Sequence, residues 1–124
     1  MRKTSTSFRA MERFCLSFYG TTMVIQWGDN HVYKVMDKVF AVAHPGDDEP
    51  ARISFKVSED SFAILTKTAG ITQAPYFAKR QWVRVGPLSA LPMPELKEYV
   101  RRSYHIVADK LPRKQRMMLG LDAT

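Results

Sequence analysis

Residues 5–18 place Phe8, Met11, Cys15 and Phe18 at spacings of three, four and three, with Arg9 and Arg13 on another face. That period predicts an amphipathic helix, which Gly20 is positioned to end. The β-branched and aromatic residues from Thr21 to Trp27 predict an extended segment, followed by a turn at Gly28, Asp29 and Asn30. Residues 31–44 hold two β-rich runs flanking Asp37 and Lys38. They predict a hairpin with that pair as its loop, so that Val35 meets Phe40, Tyr33 meets Val42 and His31 meets His44. Asp47, Asp48 and Glu49, bracketed by Pro45, Gly46 and Pro50, form an exposed acidic loop. Residues 52–57 then alternate, with Ile53, Phe55 and Val57 on one face and Arg52, Ser54 and Lys56 on the other, the pattern of a half-buried strand.

Ser58, with Glu59 and Asp60 behind it, reads as a helix start. Phe62, Leu65 and Ala69 would line one side of that helix, and Gly70 would close it. Pro75 sits in a loop leading to a short strand at 81–85. A long helix begins near Pro94 and carries Leu96, Val100, Tyr104, Val107 and Leu111 as one apolar stripe. Pro112 ends or kinks it, and residues 113–119 form a short final helix. Strands joined by a hairpin and interleaved with helices predict an α+β fold, an antiparallel β-sheet backed by helices. A chain of 124 residues with no repeat and no linker is a single domain over 1–124.

Composition adds little until charge is mapped. The formal net charge is +7, distributed as +3 over residues 1–28, −3 over 29–60 and +7 over 61–124. A basic second half favours polyanionic partners such as nucleic acid or an anionic membrane surface; the simpler reading is a basic surface that keeps the protein soluble. The longest strictly apolar run, Val39 to Ala43, has five residues. About 20 are needed to cross a bilayer, so no membrane partner is expected. The N-terminal stretch is too polar for a secretion signal, and Cys15 has no disulfide partner, so the expectation is a cytoplasmic protein.

No catalytic motif is found, and the expectation is a binding module, not an enzyme. The glycines at 20, 28, 46, 70, 86 and 120 are scattered, so no P-loop or dinucleotide fingerprint exists. No cofactor and no metal are expected, since three His and one Cys lack paired ligand spacings. The sharpest exception is His31 opposite His44, which with Asp29 or Asp47 would gather three ligands; the simpler reading is two half-exposed histidines at a sheet end. His105, four residues before Asp109, fits a helical pairing.

The stronger signal is basic and aromatic. Tyr76, Phe77, Lys79, Arg80, Trp82 and Arg84 interleave rings with cations, the combination that stacks bases while neutralising phosphates. The alternative is that Trp82 covers the sheet and the cations are merely solvated. Residues 97–116 carry a local +5. Glu98 is placed to pair with Arg101 or Arg102, which leaves Arg113, Lys114 and Arg116, beyond Pro112, as the better phosphate ligands. The candidate nucleic-acid-binding residues are therefore Lys79, Arg80, Trp82, Arg84, Arg113, Lys114 and Arg116. No helix-turn-helix pattern supports base-specific readout. The competing reading is a module for a protein partner or small ligand, using a sheet edge or a cleft.

Four segments together resemble the YjbR/MmcQ family: VYKVMDKVFAV at 32–42, ISFKV at 53–57, GITQAPYFAKRQWVRV at 70–85 and ELKEYVRRSYHIVADKLPRKQR at 95–116. The resemblance spans about 11–116. It implies a compact α+β fold of the kind described as double-wing, and a nucleic-acid-binding role with DNA ahead of RNA. The family pattern falls on Lys34, Lys38, Phe40, Lys56, Tyr76, Trp82, Ser103, Tyr104, Leu111, Pro112, Lys114 and Arg116. The chain departs from it after Gly20, where TTMVIQ stands in place of the family's usual acidic cluster.

Overall fold

The computed structural model describes residues 5–121. Helix α1 (Thr6–Leu16) is capped by Ser5, whose hydroxyl accepts the Phe8 N–H at 3.0 Å, and it buries Phe8, Met11 and Cys15 as the spacing predicts. Strands β1 (Thr21–Gln26), β2 (Asn30–Val35), β3 (Lys38–His44) and β4 (Arg52–Lys56) follow as an antiparallel meander. Helix α2 (Glu59–Leu65) starts at Ser58, whose hydroxyl accepts the Ser61 N–H at 3.1 Å. It stops earlier than its sequence suggests, so Ala69 lies beyond it and is exposed. Strands β5 (Ile71–Gln73) and β6 (Trp82–Val85) form a second hairpin. Helices α3 (Met93–Ala108) and α4 (Arg113–Met118) complete the chain, after a short 3-10 turn at Leu88–Ala90. The three-residue β5 and the 3-10 turn are too short to leave a periodic signal.

All six strands form one sheet in the order β1-β2-β3-β4-β6-β5, every neighbouring pair antiparallel. The α+β architecture read from the sequence is therefore the observed one. One face holds Tyr33, Ala41, Ala43, Ile53, Phe55, Val83 and Val85 in a common core with the buried residues of α1, α2 and α3. The stripe on α3 packs there through Leu96, Val100 and Tyr104, with Leu111 following and Val107 only partly buried. Ser103, fully buried on the same helix, ties α3 to the sheet: its hydroxyl donates to the Phe40 carbonyl at 2.6 Å and accepts the Lys56 N–H at 2.8 Å.

The β2–β3 register differs from expectation. The loop is Met36 and Asp37, both in the left-handed region (φ 47° and 68°), the backbone of a primed hairpin turn. Val35 therefore pairs with Lys38, Tyr33 with Ala41 and His31 with Ala43, and a register shift at Tyr33/Lys34 leaves Phe40 as an extra residue turned into the core. Because a one-residue slip exchanges faces, His31 and His44 do not meet. His31 points to the helices, with Nδ1 2.7 Å from Glu12 Oε1, which also accepts the Tyr33 hydroxyl at 3.2 Å.

Candidate nucleic-acid interface

The opposite face of the sheet carries the residues that strand alternation directs away from the helices. One row crosses all six strands: Val24, Val32, Val42, Ser54, Arg84 and Thr72 are successive register partners. Lys34, Lys56 and Trp82 share this open face, and no strand contributes a carboxylate to it. Val32 and Val42 are buried here although they lie outside the helix-side core.

A groove of about 520 Å³ runs over this face, floored by Val42 and Ser54 and flanked by Arg52, Arg84 and His44. Its walls are aromatic. Trp27, in the β1–β2 turn, is 59% exposed, and Tyr76, in the β5–β6 loop, is fully exposed. Both hold left-handed backbone (φ 54° and 69°), an unfavourable conformation for a bulky L-residue. Phe77 lies beside them and stacks on Trp82, ring centroids 4.2 Å apart and planes 18° from parallel. Trp82 is consequently only 7% exposed, so the base-stacking role that its sequence context suggests is not open to it; it is the platform under Phe77. Burial of Trp82 rests on a loop residue, which strand patterning does not encode.

The acidic loop reaches the same groove. Arg84 Nη2 donates to Glu49 Oε2 at 3.1 Å, and Arg52 makes a two-point contact with Asp47 at 3.1 and 3.3 Å. Arg52, together with the Glu49 backbone N–H, holds the Asp47 carboxyl down at about 2. Burial, then the Arg52 charge, lowers the proton affinity of His44 below the usual imidazole range.

The other candidates separate into groups. Arg80 is turned to α2, with Nε 3.2 Å from Glu59 and its guanidinium over the Phe62 ring, while Lys79 is exposed and makes no ion pair among the described residues. On α4, Arg113 and Lys114 line a shallow apolar recess with Met117 and Met118. Arg116 donates instead to the Leu111 carbonyl in the turn between α3 and α4. Glu98 pairs with both Arg101 and Arg102, as expected, and these hold its carboxyl at about 2. Among the described residues no ion pair joins His105 to Asp109, whose helical spacing suggests one. The predicted site thus contributes Arg84 to the groove, while Arg52, His44 and Trp27 join it without a signal in the local sequence; their convergence comes from strand order.

Among the described residues no group of three His, Cys, Asp or Glu side chains is placed to hold a metal ion, and no helix is long and apolar enough to cross a membrane. Cys15 is fully buried, and burial raises its thiol far above the ordinary range, so it is an inert core residue.

Fold and site together define a small α+β domain with helices on one face of its sheet and an open, cationic and aromatic surface on the other. The model of the family described as YjbR matches residues 16–106, and the chain belongs to that family. The crystal structure of a Deinococcus radiodurans protein with a DUF419 domain is similar with a TM-score of 0.83 and 24% identity, covering 98% of this chain and 94% of that one. A Pseudomonas syringae protein is similar with a TM-score of 0.65 and 23% identity, over 79% and 96%. No curated protein matches this chain.

Proposed function

We propose that this protein is a non-enzymatic module that binds nucleic acid without sequence specificity, and that it takes single strands on the open face of its sheet. The observation that carries this reading is the groove itself, where Trp27, Tyr76 and Phe77 stand beside Arg52 and Arg84. Exposed rings offer stacking to any base, and cations beside them neutralise the backbone. Two exposed aromatics held in left-handed backbone support it further, because such conformations concentrate at binding sites. DNA is put ahead of RNA, following the family resemblance, and a cytoplasmic location goes with the reading.

Fluorescence anisotropy of labelled single-stranded and duplex DNA, with RNA of the same sequence alongside, tests it. Single strands should bind tighter than duplex, and Trp27→Ala with Tyr76→Ala should weaken them by about tenfold or more, at about 1–3 kcal/mol per stacked base. Unchanged affinity in that double variant would remove the open face from the account. The groove's volume of about 520 Å³ also suits a small ligand, and binding of free nucleotides with no gain from longer strands would favour that second reading.

A further inference from the structure

A second concavity, of about 270 Å³, lies beside the groove and shares its central stack: Phe77 lines the groove, and its partner Trp82 lines the recess. Three lysines surround it. Lys38 comes from the start of β3, Lys56 from the end of β4 and Lys110 from the turn after α3, with Val39, Leu111 and Pro112 supplying the apolar wall. No carboxylate lines the recess, and none of the three lysines is ion-paired among the described residues. Asp109 lines instead a separate concavity of about 310 Å³, which Lys56 borders together with Tyr99, Arg102 and His105.

Five arginines elsewhere on the described chain are matched to carboxylates: Arg52 to Asp47, Arg80 to Glu59, Arg84 to Glu49, and Arg101 and Arg102 to Glu98. Three unmatched ammonium groups converging on one pocket are self-repelling, and an anion removes the repulsion. Burial, and after it the facing Lys110 charge, already holds the Lys56 ammonium below its usual range. We propose that the Lys38–Lys56–Lys110 recess binds a phosphate dianion, with Trp82 as its apolar side wall. Three cations suit a terminal phosphate better than a backbone phosphodiester, which carries one charge. On the reading given above, the recess receives the phosphorylated end of a strand whose bases occupy the groove.

The test uses the Trp27→Phe variant, in which Trp82 supplies the sole indole signal, and titrates it with inorganic phosphate by nitrogen-proton correlation NMR. A saturable shift of the Trp82 indole, lost by tenfold or more in Lys56→Gln with Lys110→Gln, is expected; removing like charges relieves repulsion, so these variants keep their fold. No saturable shift, or the same shift in the lysine variant, overturns the proposal. Trp27→Ala with Tyr76→Ala should leave phosphate binding intact, so failure of the aromatic groove and failure of the recess are read separately. A 5′-phosphorylated oligonucleotide binding several-fold tighter than its 5′-hydroxyl form assigns the site to strand ends. Equal affinity, with the phosphate shift present, assigns it to free phosphate or a small phosphorylated ligand.

Discussion

Arg84 and Glu49 meet at 3.1 Å across the edge of the groove, one from the middle of β6 and the other from the acidic loop before β4. The pair is solvent-accessible, and its carboxylate competes with any phosphate that approaches Arg84. Glu49→Gln should therefore raise single-stranded DNA affinity about twofold to fivefold at low salt, the scale of an exposed ion pair, with the gain fading as salt rises. Anisotropy titrations at two salt concentrations check this, and unchanged or weaker binding would contradict it.

The Phe77 ring over Trp82 makes a stability prediction. Aromatic pairs contribute about 0.5–1.5 kcal/mol beyond the area they bury. Phe77→Ala should lower unfolding free energy by about 1–2 kcal/mol in urea and move the Trp82 emission to longer wavelength as water reaches the indole. A variant with unshifted Trp82 emission would show that something other than Phe77 shields it.

Ser103 should be disproportionately sensitive for a small residue. Its hydroxyl bonds both the Phe40 carbonyl and the Lys56 N–H inside the α3–sheet contact. Ser103→Ala leaves both without their partner, at a cost of about 1–3 kcal/mol, read as a lower urea midpoint with unchanged slope. A loss below about 0.5 kcal/mol, typical of surface changes, would contradict the assignment.

Much of the architecture is legible in the pattern of the chain. Phe8, Met11 and Cys15 mark α1, Ile53 and Phe55 mark β4, and Leu96, Val100 and Tyr104 mark the buried side of α3, because each element is amphipathic with its own period. The hairpin register was not legible. Asp37 and Lys38 look like loop residues, whereas the turn is made by Met36 and Asp37, and Met is an unusual residue in left-handed backbone. Alternation puts Trp82 and Arg84 on one face, yet the cover that Phe77 gives Trp82 depends on how a loop folds back. Trp27, Arg52 and Arg84 are far apart in sequence, and only the sheet order brings them to one groove.

Acid should expose the Asp47–Arg52 contact. The Asp47 carboxyl, ordinarily near 3.8, is held at about 2 in the folded chain, so its stabilising effect is present above pH 4 and is lost as pH falls through 2. Asp47→Asn should therefore flatten part of the decline in Tm between pH 4 and pH 2. Parallel declines in the variant and the parent protein would contradict the linkage.

Trp27 is one of two tryptophans, exposed at the groove, while the other, Trp82, is buried beneath Phe77. In a Trp82→Phe variant the emission reports on Trp27 alone, and titration with oligo-dT measures contact between a base and the open face directly. The account predicts saturable quenching, reversed by salt with a log-log slope of about −0.7 per phosphate neutralised. Trp27 emission that stays unchanged while the strand is bound would contradict it.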